Sequence, residues 1–177
     1  MKNKGITLVA LTITIIILLI IAGISISVGK SMIKKANLEE LKTNMLLIKT
    51  KGKEYVENAN FKLGPNVDTA EDKETRITNA KGELKGKELT SEEKEELATN
   101  NIINTTGDEE FFTVYCDLTT NEDKNYLEQM GIKGLESNEE NGKFIIKYEM
   151  KNMTVEVYNT VGYNGKYSLT DIDQIEE

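Results

Sequence analysis

Three hydrophobic patterns follow one another along the chain. Residues 6–28, ITLVALTITIIILLIIAGISISV, are 23 consecutive positions without a charge, Asn, Gln or Pro. About 20 such residues span a bilayer as a helix, and the run outlasts the ~7–15-residue apolar core of a cleaved secretory signal. Beyond it Leu38, Leu41, Met45, Ile48, Gly52, Tyr55 and Ala59 recur at alternating intervals of three and four, with Lys42, Lys49, Lys51 and Glu54 off the stripe. This spacing predicts one amphipathic helical face. Asn58-Ala59-Asn60 and then Leu63-Gly64-Pro65 are its expected stop. A helix from Ile6 to about Ala59 would be ~80 Å long at 1.5 Å per residue.

Residues 63–110 are rich in Lys, Glu, Asn, Thr and Gly and read as a surface or partly disordered connection. Thr90-x-x-Glu93 within them is a capping-box signature and predicts a short helix to about Asn100. After Glu110 the period becomes two. Phe112, Val114, Cys116 and Leu118 alternate with Thr113, Tyr115 and Asp117, which predicts a half-buried strand. Asp123 to Met130 predicts a short helix ended by Gly131. Phe144 to Met150 and Met153 to Val157 alternate around Lys151-Asn152, and Asn164-Gly165 is a strong hairpin signal before Tyr167-Ser168-Leu169. The fold class is therefore expected to be α+β. A long N-terminal helix, transmembrane in its first half and amphipathic in its second, would pack on an antiparallel β-sheet head of three or four strands.

Charge follows the same divisions. The 22 Lys and Arg against 30 Asp and Glu give −8 overall. Residues 1–5 carry +2, residues 6–28 none, residues 29–62 +4, and the remainder −14. This divides the chain into a basic leader (1–5), an apolar helix (6–28), a basic helical stem (29–62), a polar linking region (63–110) and an acidic head (111–177). The acidic balance argues against nucleic acid bound by a basic patch. The chain has no His and one Cys, Cys116. Ser–His–Asp, Cys–His and His-ligated metal chemistry are excluded by composition, as is an internal disulfide. Cys116 falls on the apolar side of its strand and reads as a core residue.

The start of the apolar run is specific. Lys4-Gly5-Ile6-Thr7-Leu8-Val9 resembles the class III leader of type IV prepilins and pseudopilins: a short basic stub, a Gly, then a Thr-Leu-containing apolar helix. The resemblance extends over roughly residues 1–60. It implies cleavage after Gly5 by a prepilin peptidase at the cytoplasmic membrane face and N-methylation of Ile6. It also implies assembly through Ile6, Thr7, Leu8, Val9, Ala10 and Leu11, with the C-terminal head outside a bacterial cell. Other pilin-like subunits, the peptidase and the membrane would be the partners. One position departs from the family pattern: Ala10 stands where its mature fifth residue is usually Glu. In the family that carboxylate pairs with a neighbouring subunit's N-terminal amine, so its absence points to a minor or atypical subunit. The stem stripe Leu38, Leu41, Met45, Ile48 and Tyr55 would pack against the head's own sheet, as in the pilin architecture.

Other chemistry finds little footing. Asp117 with Asn121, Glu122 and Asp123, then Glu139, Glu140 and Asn141, and finally Asp171 with Asp173 are hard-oxygen groupings of the kind that hold Ca²⁺. None has the EF-hand register, so no metal site is assigned. No cofactor and no catalytic residue is expected, and the protein reads as a non-enzyme. The competing expectation is an uncleaved, single-pass membrane protein with an extracellular acidic binding domain.

Overall fold

The computed structural model describes the backbone of residues 4–119, 125–137 and 142–175, and within these the side chains of residues 11–19 and from 32 onward. The protein is α+β, with a five-stranded antiparallel sheet. The chain divides into two compact units, Met1–Glu40 and Leu41–Glu177, and helix α1, Lys4–Leu63, contributes to both.

In the first unit, α1 exposes every described side chain from Leu11 to Leu19. Among the described residues no helix is long and apolar enough to cross a membrane. The apolar run at 6–28 is described at its side chains only over 11–19.

In the second unit, the sheet is a meander in chain order: β1 (Lys87–Glu88), β2 (Thr113–Asp117), β3 (Phe144–Glu149), β4 (Thr154–Tyr163) and β5 (Lys166–Ser168). Three successive strands register Cys116 against Ile146 against Val157, and Val114 against Tyr148 against Val155. These form the face towards α1. A β-carbon at Gly52 would meet Ile146, Val155 and Tyr148, so the helix backbone lies directly on that face.

The inward stripe of α1 departs from the expected one. Met45, Ile48, Gly52, Val56, Ala59 and Leu63 are buried, while Leu41 and Tyr55 are half-buried. A strict three-four alternation has a period of 3.5, whereas a straight helix needs 3.6. Five turns on from Leu38 that difference amounts to half a residue, and the inward position falls on Val56 instead of Tyr55. The helix continues through Asn58-Ala59-Asn60 and ends at Leu63, within the expected Leu63-Gly64-Pro65 stop. The Asn60 amide Nδ2 donates to the Met150 and Lys151 carbonyls at 3.0 and 3.1 Å, so this residue ties the helix to the β3–β4 turn. Gly64, at φ +66°, ends it by donating its N–H to the Asn60 carbonyl. Arg76 Nη1 bonds the Leu63 and Pro65 carbonyls beyond.

The linking region is more ordered than its composition suggested. It holds a 3₁₀ turn (Val67–Thr69), α2 (Lys73–Lys81), β1 and α3 (Ser91–Thr99). Helix α2 buries only Ile77 and Ala80, three residues apart, too sparse a signal to stand out among polar neighbours. Helix α3 has the reciprocal capping box of Thr90 and Glu93. The Thr90 backbone N–H, and after it Lys87, hold the Glu93 carboxyl below its ordinary range.

Strand β2 was expected to be half-buried, yet Thr113 through Cys116 are all buried. A second core covers the other face of the sheet. Ile103, Tyr115, Ile145 and Tyr158 form it, with Leu89, Leu97, Ala98 and Ile102 packed against them from the residue after β1, α3 and the loop that follows. The sheet is sandwiched, so alternation along β2 does not separate core from solvent. Two short helices complete the unit. In α4 (Tyr126–Gln129) the side chain of Asn125 accepts the Glu128 N–H, and in α5 (Leu169–Asp173) that of Ser168 accepts the Asp171 N–H. Asn164 and Gly165 both have positive φ, 49° and 72°, as a two-residue hairpin of this hand requires.

Candidate functional site

The expected processing and assembly residues lie at the start of α1. Gly5 and Ile6 are helical in backbone, and the side chains of Ile6, Thr7, Leu8, Val9 and Ala10 lie outside the described residues. Leu11 is described and exposed. From Leu11 to Leu19 the large apolar residues are between 48% and 67% exposed. Ile15, Ile16, Ile17, Leu18 and Leu19 are consecutive, and at ~100° per residue five positions close the circumference of a helix. The segment is therefore apolar on every side.

The stem is built differently. Met45 and Ile48 are fully buried and Leu38 nearly so. Tyr55 contributes from the flank. Its hydroxyl donates to the Gln129 carbonyl at the end of α4 over 3.4 Å, with Lys85 above its ring at 5.8 Å. Burial, and then the neighbouring Glu54 charge, raise its pKa. The basic residues beside the stripe also make contacts. Lys42 donates to the Ile175 carbonyl at 3.3 Å, and Lys49 lies 3.5 Å from the Glu156 carboxylate. Composition alone gave no sign that these lysines hold the C-terminal part of the head.

Of the oxygen-rich groupings, Asn121, Glu122 and Asp123, and likewise Glu139, Glu140 and Asn141, lie outside the described residues. Asp117 accepts the Thr119 N–H at 2.7 Å and also its hydroxyl, and Asp171 pairs with Ser168. Asp173 is exposed. Among the described residues no group of three or more His, Cys, Asp or Glu is arranged to hold a metal ion. Cys116 is buried and free, and burial, aided by Glu88, pushes its thiol up to about 12. At neutral pH it stays protonated and a poor nucleophile.

One polar network escaped the reading of the sequence. Lys147 of β3 and Asp108 form an ion pair whose side chains are only 19% and 12% exposed. The Tyr115 hydroxyl lies 2.8 Å from Asp108 Oδ2 and 2.8 Å from the Asn104 carbonyl, shared between them. Asp108 and Lys147 are 39 residues apart, and only the β2–β3 pairing brings them together. No protein-family model, characterised protein or solved structure matches this chain.

Proposed function

We propose that the chain is a type IV pilin-like structural subunit, of minor or atypical kind. It is held in a bacterial membrane by its first helix, processed after Gly5 and assembled into a surface filament or a secretion or uptake pseudopilus. The observation that carries this reading is the all-round apolar exposure of Leu11 to Leu19 on a helix whose later turns are amphipathic. Lipid and the apolar core of a filament both satisfy such a segment, and moving from one to the other needs no change in the helix. Two features add support. Lys4-Gly5-Ile6-Thr7-Leu8 has the form of a prepilin processing site, and an antiparallel sheet lies on one face of the same helix.

The function is mechanical. The head stays outside the cell and the helices supply the packing. The test is intact-mass spectrometry of the protein recovered from its own cells. A chain beginning at Ile6 and heavier by one methyl group is the expected result, with Gly5→Leu accumulating as full-length precursor. A native protein that keeps Lys2 to Gly5 would overturn the proposal.

A further inference from the structure

Helix α3 begins beside Thr113 of β2. The Leu89 N–H donates to the Tyr115 carbonyl at 2.9 Å, which continues the β1–β2 pairing of Glu88 with Cys116. One residue later Thr90 caps α3, and the chain leaves the sheet before it reaches Thr113. The space so left is a pocket of about 180 Å³, bordered by Ser91 and Lys94 of α3, by Glu110, and by Thr113 and Tyr115 of β2. At ~30 Å³ for each water it has room for about six non-hydrogen atoms.

Thr113 marks this pocket as incomplete. The residue is 9% exposed, and its Oγ1 is the one buried side-chain polar atom among the described residues without a hydrogen-bond partner. A buried hydroxyl left without a partner is destabilising, and the adjoining pocket is where a partner can enter. The start of α3 adds donors. The first N–H groups of a helix have no carbonyl behind them. That of Glu93 is bonded to the Thr90 hydroxyl at 3.2 Å, which leaves those of Ser91 and Glu92. The Ser91 hydroxyl is likewise without a bond among the described residues.

Charge selects the ligand. The charged residues of the lining are Lys81, Glu88, Lys94 and Glu110. Lys81 and Glu88 lie 2.7 Å apart and neutralise each other. Lys94 and Glu110 have no ion pair among the described residues, and Lys94 has only the Tyr115 ring, at 6.0 Å. The pocket thus offers an open cation, an open anion and an orphan hydroxyl. A bare anion would meet Glu110 and the Glu93 carboxylate already seated on the Thr90 N–H at 2.8 Å. A bare cation would meet Lys94 and the positive end of α3. A small zwitterion satisfies both signs. Its carboxylate would take the Lys94 ammonium and the open N–H groups of α3, and its ammonium the Glu110 carboxylate. The Thr113 hydroxyl can serve either end, since it both donates and accepts. We infer that this pocket binds a free α-amino acid with a small side chain, of the size of alanine or serine.

The inference does not depend on processing at Gly5. It is tested on the full chain in a nonionic detergent. Isothermal titration would use glycine, L-alanine and L-serine, with acetate, methylammonium and inorganic phosphate as comparisons. At least one amino acid should saturate the protein, about tenfold or more tighter than acetate or methylammonium, because each of those pairs with one charge only. Lys94→Gln and Glu110→Gln should each weaken that binding by about tenfold. Thr113→Val keeps the shape and removes the orphan oxygen. It should weaken binding by about threefold or more and leave the ligand-free urea midpoint no lower. Glu110 is exposed, so Glu110→Gln decides the matter if another variant does not fold. Absence of saturation by every amino acid would overturn the inference and leave Thr113 to a water molecule alone. So would acetate, methylammonium or phosphate binding as tightly as the best amino acid, or an affinity indifferent to these substitutions.

Discussion

Gly52 of the stem helix lies so near Ile146 of the central strand that a β-carbon there would stand 2.5 Å from Ile146 Cδ1 and 3.1 Å from Val155 Cγ1. Gly in a helix interior costs about 1 kcal/mol relative to Ala. The chain bears this cost in return for close approach of helix and sheet. Replacing Gly52 by Val should therefore destabilise the head by about 3 kcal/mol despite better helix entropy, because overpacking a filled core outweighs propensity. Chemical denaturation followed by far-UV circular dichroism measures it. An unchanged midpoint would mean that helix and sheet are not in this contact.

The stem offers a paired test of which face is inward. Ile48 is completely buried, while Leu46, two residues earlier, is 57% exposed. Ile48→Ala should cost about 3–4 kcal/mol, whereas Leu46→Ala should stay within about 0.5 kcal/mol. If the two substitutions cost the same, the stripe has been placed on the wrong face.

Most of the second unit was legible because its signals are local. Thr90 and Glu93 start a helix within four residues, Asn164-Gly165 makes its own turn, and Phe144 to Tyr148 alternates next to its partner strand. The errors arose where distant residues decide the outcome. Tyr115 is buried only because Ile103 and Leu97 fold over it. Helix α2 forms in a stretch that buries just Ile77 and Ala80. The inward choice of Val56 over Tyr55 depends on a tenth of a residue per turn, accumulated along the helix. The pocket at the start of α3 is assembled from residues 81, 88–94 and 110–115, and no segment of the sequence carries a sign of it on its own.

The ion pair of Lys147 and Asp108 is shielded enough that breaking one side should be felt. Asp108→Asn leaves a half-buried ammonium without its counter-charge and should cost about 2 kcal/mol. This is less than a fully buried pair would lose, since water still reaches both groups. Adding Lys147→Met should recover part of the loss, because the stranded charge is then gone. Urea midpoints of the single and double variants form the cycle that measures the coupling. Losses that simply add would show that the pair contributes nothing as a pair.

The buried hydroxyls and thiol set the limit on the alkaline side. Burial raises the pKa of Tyr115, Tyr148, Tyr158 and Cys116; Tyr158 and Cys116 each reach about 12. The folded state keeps these protons to higher pH than the unfolded chain, whose ordinary values are 9.0 for the thiol and 10.0 for the phenols. Their contribution is therefore complete below pH 9 and is lost as pH climbs towards 12. Stability should fall steadily over that window, with the phenolate absorbance of these three tyrosines appearing only as the head unfolds. Cys116→Ala removes the earliest group, so the decline should begin about one pH unit later, set then by the tyrosines. Urea midpoints taken at intervals from pH 7 to pH 12 give the profile. A midpoint that stayed level through pH 11 would mean that these groups are not held protonated by the fold.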